Sequence, residues 1–190
     1  LPKSALTCAA YSGSTHLVKK LIQAGANLGP PEYMGSHALA IAVRYGHSEM
    51  INLLLDHKVS VNHPLPGSEA PFPNLLCGLL QHAPSDPEQL RILESLISCG
   101  VPLDGVDHMG NDALMIAVSK RNFDAARCLL EHGAGITQIN NSGFNAFQIA
   151  LHALENAISG VRENTTTANN TLIAAIQTIR VFLNAQPEHR

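Results

Sequence analysis

Tryptophan is absent from this chain, and aromatic residues of every kind make up only 4% of its 190 residues. A core built on large rings is therefore excluded, and Leu, Ile, Val and Ala must fill it. Charge is sparse as well. Only 14% of residues are charged, no basic run exceeds two residues, and the net charge is −3 with His neutral. A nucleic-acid footprint needs clustered Lys and Arg, so no nucleic-acid partner is expected. No apolar run approaches the ~18 residues of a membrane-spanning helix, and no membrane insertion by this chain is expected. The start, LPKSALTCAA, has neither the charged nor the apolar region of a secretory leader, and it has no initiator Met. It reads as a piece of a longer protein.

Catalytic motifs are missing too. There is no G-x-S-x-G, no glycine-rich phosphate loop and no HRD-type motif. Cys77 and His82 lie five residues apart and share a helical face poorly. Ten histidines are present without an HExxH or a C-x-x-C…H-x-x-x-H spacing. The sequence therefore predicts no catalytic residues, no metal, no cofactor and no enzyme. Asn-x-Ser/Thr triplets at Asn140, Asn164 and Asn169 read as coincidental.

What is present is a period. Gly13 and Gly46 stand 33 residues apart, as do Leu6 and Leu39, Leu39 and Phe72, Leu114 and Phe147, and Gly100 and Gly133. Between Phe72 and Leu114 the step is 42. The clearest unit, residues 35–62, has two helical patterns, ALAIAVRY and SEMINLLLDH, broken at Gly46. Such a unit cannot cover its apolar face alone and makes sense as one slice of a stack.

This stretch resembles an ankyrin repeat, whose pattern runs roughly D-x-x-G-x-T-P-L-H-x-A-A-x-x-G-H and then V-x-x-L-L-x-x-G-A-x-x-N. Gly35, Leu39, Ala42, Gly46, His47, Leu53, Leu54 and Asn62 match it, while the T-P-L-H core reads His37-Ala38-Leu39-Ala40. The resemblance implies an all-α ankyrin-repeat solenoid of stacked helix-turn-helix units with short hairpin loops. Five repeats, near 1–29, 30–62, 63–104, 105–137 and 138–190, would form one domain.

Several local expectations follow from that register. Cys8 and Cys128 fall on positions that a repeat buries, which suits reduced thiols in an intracellular, cytoplasmic protein. His47 falls where the family caps the outer helix. His57 and His132, 75 residues apart, occupy one repeat position twice. Lys58 replaces the glycine after the second outer helix, at a cost of roughly 1 kcal/mol. In the third repeat, Asp86 and Pro87 start the outer helix EQLRILESLIS, which ends at Gly100. In the fourth, Asp107 and Gly110 take turn positions and Leu114, Ile116, Ala117, Leu129 and Leu130 enter the core. The fifth has the inner helix NAFQIALHALENAIS, a polar segment GVRENTTTANN, and an apolar band of Leu172, Ile173, Ile176, Ile179, Phe182 and Leu183. A neighbouring domain could dock on residues 172–183.

The resemblance also implies a binding surface on inner helices and hairpin tips. Its variable positions are Tyr11 and Ser12; Tyr33, Met34, Ser36, Arg44 and Tyr45; His108, Met109, Asn111, Ser119 and Lys120; and Asn141, Ser142, Phe144, His152 and Ala153. All three tyrosines of the chain fall in this set, and Tyr and Arg are the residues that anchor interfaces. The expected function is a protein–protein interaction module gripping another protein through a Tyr11–Tyr45–Lys120 face. The alternative is an internal scaffold that positions a catalytic or membrane domain. Degenerate T-P-L-H cores and Asn-rich loops are similar to those of bacterial effectors delivered to host cells, which would place the chain in the host cytosol.

Overall fold

A computed structural model describes residues 4–26, 28, 34–61, 74–82 and 85–161, with residues 173, 176 and 180. Two compact units divide the chain, Leu1–Pro102 and Leu103–Arg190. Among the described residues the regular structure is helical, with a single isolated bridge between Val106 and Asp112.

The first unit holds α1 (Ala5–Tyr11), α2 (Thr15–Gln23), α3 (Met34–Tyr45), α4 (Ser48–Asp56), α5 (Leu75–His82) and α6 (Pro87–Ser98). They pair as α1 with α2, α3 with α4 and α5 with α6; inner helix packs on inner helix and outer on outer. Local chemistry sets the boundaries. The first N–H groups of a helix lack intrahelical partners. Ser4 Oγ accepts from Thr7 N, Ser14 Oγ from Leu17 N, and Asp86 Oδ1 from Gln89 N ahead of Pro87. Asn74 Oδ1 accepts from both Leu76 N and Cys77 N, while its Nδ2 donates to Pro102 O. Gly25 and Gly100 follow the outer helices in left-handed conformation, and Lys58 adopts it too, at φ +54°.

Helix α3 lies between α1 and α5, so residues 38–43 are all buried. Helix α1 buries one face, through Leu6, Thr7, Ala9 and Ala10. Cys8 lies on the opposite side of α1 and is exposed, which corrects its expected burial. Its counterpart one repeat on, Ile41, is 1% exposed.

A second correction concerns the start of α3. It begins at Met34, four residues before the pattern ALAIAVRY. Ser36 is therefore no hairpin tip. It sits in the first turn of α3, buried, and its Oγ donates to Ser60 O at 2.6 Å. Gly35 allows this approach, since a β-carbon there would collide with Leu28 O and stand 3.0 Å from Val59 Cγ1.

The second unit holds α7 (Ala113–Ser119), α8 (Phe123–Glu131) and α9 (Ala146–Val161), with α7 packed on both others. Residues 113–118 are all buried. Leu114, Ile116, Ala117 and Leu129 enter the core as expected, and Leu130 is half-buried. Asp112 Oδ1 caps α7 through Met115 N at 2.7 Å, and Asn122 Oδ1 caps α8 through Ala125 N at 3.1 Å. His57 and His132 occupy equivalent C-cap positions, after α4 and α8, as their spacing predicts.

Helix α9 runs through Gly160 and Val161, past the predicted NAFQIALHALENAIS. Residues 162–170 of the polar segment lie outside the described residues. Of the apolar band, Ile173 and Ile176 are helical and exposed, at 56% and 52%. Leu172, Ile179, Phe182 and Leu183 lie outside the described residues. No helix among the described residues is long and apolar enough to cross a membrane.

Candidate functional site

In the first unit the candidate residues gather where inner helices end. Gly13 and Gly46, at φ +67° and +68°, stop α1 and α3 one residue after Ser12 and Tyr45. The last turns thus leave Tyr11, Ser12, Arg44 and Tyr45 exposed. The Tyr11 ring meets Tyr45 edge-on, with centroids 5.9 Å apart at 63°. Such pairs favour edge-to-face geometry because each ring has a negative face and a positive rim. Tyr45 in turn stacks on His47 at 6.0 Å and 20°. Ser12 Oγ donates to Ala9 O at 3.0 Å.

His47 is the N-cap residue of α4, but its side chain makes no capping hydrogen bond. The expected capping role is corrected. The ring lies over Gly13 instead: a β-carbon on Gly13 would stand 2.7 Å from His47 Cε1. Nε2 of His47 is buried without a hydrogen-bond partner. Tyr33 lies outside the described residues. Met34 opens α3, and its side chain is outside the description.

In the second unit two hairpin turns carry the candidates. Asp107 N donates to Asn111 O at 2.8 Å, and Asp107 Oδ1 accepts from Met109 N and Asn111 N at 2.8 and 2.9 Å. Thirty-three residues on, Asn140 repeats the device, with N donating to Phe144 O and Oδ1 accepting from Ser142 N and Phe144 N. An acceptor side chain that binds its own turn makes Asp and Asn suited here. The turns are tied together. Asn141 N donates to Met109 O at 2.9 Å, Asn141 Nδ2 to His108 O at 3.2 Å, and Asn140 Nδ2 to Asn111 Oδ1 at 2.8 Å. Gly110 is required twice over, by φ +77° and by a β-carbon position 2.7 Å from Asn141 Oδ1.

Asn111 is therefore half-buried and joins the turns, rather than standing open to a partner. His108, Met109, Ser119, Lys120, Asn141, Ser142, Phe144 and His152 are exposed, and Ala153 is half-buried. Phe144 stacks on His152 at 6.4 Å and 24°, and His152 Nδ1 stands 3.7 Å from Glu155 Oε2. Ser119 Oγ donates to Ile116 O.

Sequence reasoning missed exposed side chains of this unit, among them Ile139, Phe147, Leu151 and Arg121. Phe147 and Leu151 are 38% and 39% exposed, because α9 turns Ala146 and Ala150 into the core instead. Arg121 adopts φ +59° at the place where Gly13 and Gly46 stand in the first two repeats. The period of those glycines was the signal that could have found it.

Among the described residues, two carboxylates are shifted from their ordinary range. The hydrogen bond and charge of Lys19, 2.9 Å away, hold Glu49 below the usual carboxylate range. Burial pushes Asp112 above it, against the opposing hydrogen bonds from Met115 and Leu114 N–H. A groove of about 550 Å³ runs between α4 and α6, lined by Asn52, Asp56, Arg91 and Cys99 among others. None of the candidate residues lies on it. Among the described residues, no group of three or more His, Cys, Asp or Glu is placed to hold a metal ion.

The family model described as "Ankyrin repeats (3 copies)" matches residues 1–64 and 80–170. Among curated proteins, human ankyrin repeat and SOCS box protein 6 is 29% identical over 175 residues, covering 87% of this chain and 39% of that protein. Chicken nuclear factor NF-kappa-B p105 subunit is 29% identical over 153 residues, covering 79% of this chain and 15% of that protein. Potassium channel AKT2/3 of Arabidopsis thaliana is 25% identical over 138 residues, covering 73% and 16%. The chain thus spans about two fifths of the first relative's length and less of the others.

Proposed function

Because this chain belongs to the ankyrin-repeat family, whose repeats are generally protein-interaction modules, we propose that it binds a partner protein through its inner-helix ends and hairpin tips. The observation that carries this reading is the exposed, edge-on pair of Tyr11 and Tyr45, backed by the half-buried His47 ring. Two half-exposed tyrosine rings held against one another lose little freedom on binding, which is what an interface anchor needs. The relatives support a module rather than an activity. Their names include a channel and a nuclear factor, proteins of unlike chemistry. An intracellular, cytoplasmic setting fits this reading, as does one repeat domain over residues 1–190, which rests on the register of the sequence.

Alanine at Tyr11 and Tyr45 tests it. Each should weaken capture of the partner by about 2 kcal/mol if central to the interface, measured at a temperature where both variants are folded, since Tyr45→Ala also loses its contact with His47. Undiminished capture by the double variant would remove this cluster from the interface.

A second reading is that the repeats hold a neighbouring domain of the same protein. Exposed Ile173 and Ile176 favour it. Sedimentation of the isolated chain discriminates: self-association abolished by Ile173→Glu supports docking through that helix, and a monodisperse monomer speaks against it.

A further inference from the structure

Within the first unit, the same register positions are covered in one helix pair and open in another. Leu17 precedes Met50 by 33 residues, and Met50 precedes Ile92 by 42; Leu21 and Cys8 stand 33 before Leu54 and Ile41. Met50, Ile92, Leu54 and Ile41 are at most 1% exposed. Leu17, by contrast, is 42% exposed, Cys8 is exposed and Leu21 is only half-buried. Neighbours account for the difference. Helices α3 and α4 pack on α1 and α2, and α6 packs on α4, so each later pair hides these positions against the pair before it. Among the described residues no helix pair precedes α1 and α2. Leu17 and Leu21, four apart, share a face of α2, as Ala5 and Cys8, three apart, share one of α1. A repeat that closes a stack carries a polar outer surface, and Leu17 does not suit one.

Charge selects among the possible occupants of this face. Residues 1–31 contain Lys3, Lys19 and Lys20 and no Asp or Glu. Lys19 pairs with Glu49 of α4, while Lys20, three residues after Leu17, is exposed on α2. Two copies meeting through this same face would set lysines against lysines, which disfavours them. A membrane surface is held by clusters of several cations, more than the two lysines that α2 carries. An acidic partner meets neither objection.

We propose that α1 and α2 dock an amphipathic helix of a partner protein, apolar toward Leu17, Leu21 and Cys8 and carrying Asp or Glu along the edge that meets Lys20. The occupant is a helix because helices cover the equivalent positions of α3 and α4. Docking thus continues, by one step, the packing that already joins the pairs of this unit. An amphipathic helix laid on an apolar surface gains affinity from anchors spaced along one face, and opposite charge at the edge rejects wrong partners. This face is a second surface beside that of Tyr11 and Tyr45, and either can fail alone.

Fluorescence anisotropy of the full chain tests this. The probes are a labelled helical peptide with Leu on one face and Glu on the other, its Lys-for-Glu counterpart, a scrambled peptide of the same composition, and phosphatidylcholine vesicles containing phosphatidylserine. The Leu–Glu peptide should bind, and the other two peptides should bind about tenfold more weakly or not at all. Leu17→Glu should lower affinity about tenfold and Lys20→Gln about threefold, while Phe144→Ser in the second unit changes nothing. Because Leu17 is already exposed, Leu17→Glu should keep the parent melting temperature, which excludes misfolding. Alkylation places the peptide: Cys8 and Cys99 are both exposed thiols, and saturating peptide should slow labelling of Cys8 by iodoacetamide severalfold while Cys99 reacts as before. The proposal is overturned if the Leu–Glu peptide fails to bind, if the scrambled peptide binds equally well, or if Cys8 labels at the same rate with peptide bound. Vesicle binding that Leu17→Glu abolishes would give the face to a membrane, and self-association that Leu17→Glu abolishes would give it to a second copy; either result overturns the proposal.

Discussion

Asn122 and His47 hold the same place in their repeats, the residue before α8 and the residue before α4, and they start those helices in different ways. Asn122 accepts a hydrogen bond from Ala125 N within its own turn, as Ser14 does from Leu17 N before α2. His47 makes no such bond and lays its ring on Gly13 of the preceding repeat. An absent cap costs about 1 kcal/mol, and an orphaned buried nitrogen costs about 1–3 kcal/mol more. The ring's contacts with Gly13 and Tyr45 must offset both. One helix start is thus closed locally, and the other is given over to packing between repeats. The local device depends on a single residue; the packed one depends on its neighbour remaining glycine.

The strongest way to break the comparison is Gly13→Val. A branched side chain at φ +67°, with its β-carbon 2.7 Å from the His47 ring, should cost about 3 kcal/mol in thermal unfolding. Adding His47→Ala removes the collision but not the backbone strain. The pair should therefore cost at least ~1 kcal/mol less than the sum of the two single changes. Strict additivity would mean that the ring does not rest on Gly13.

A smaller effect is expected at the locally capped helix. Asn122→Ala should cost about 1 kcal/mol by denaturant unfolding, and Asn122→Ser only a few tenths. Equal losses from Ser and Ala would show that the side-chain oxygen is not the cap.

The smallest effect separates a charged cap from a neutral one. Asp112 caps α7 while its burial raises its carboxyl pKa in the folded state. The folded chain then binds this proton more tightly than the unfolded chain does. The group's contribution to stability therefore falls as pH rises from the ordinary carboxylate range through the raised folded value. Asp112→Asn keeps the cap and loses that fall. Relative to the variant, the parent should decline over this window, ending within about 1 kcal/mol below it at neutral pH. A parent that gains on the variant as pH rises would contradict the burial account.

Much of the candidate surface was legible because it depends on where helices stop. Gly13 and Gly46 mark the ends of α1 and α3, so Tyr11 and Tyr45 could be placed on the last exposed turns by counting. Ser36 and Asn111 could not be assigned that way. Both have polar side chains at variable positions, yet Ser36 Oγ is taken by Ser60 O and Asn111 by Asp107 and Asn140. Arg121 was hidden for the opposite reason. Its conformation is glycine-like, but its residue type gives no hint of it.

The sequence by itself determined the repeat length, the helix pairs, the caps at Ser4, Ser14, Asp86 and Asn122, and the glycine turns. Each of these is closed by residues within a few positions, whether by an N–H three residues on or by a backbone angle that only glycine adopts without strain. Tertiary structure alone decided what lies between repeats. It left Cys8 exposed while burying Ile41 at the same register, set Ser36 against a carbonyl 24 residues away, and turned His47 from a cap into a wedge on Gly13. The physical reason is range: a hydrogen bond within one turn is written in neighbouring residues, whereas burial depends on which distant surface arrives to cover a side chain.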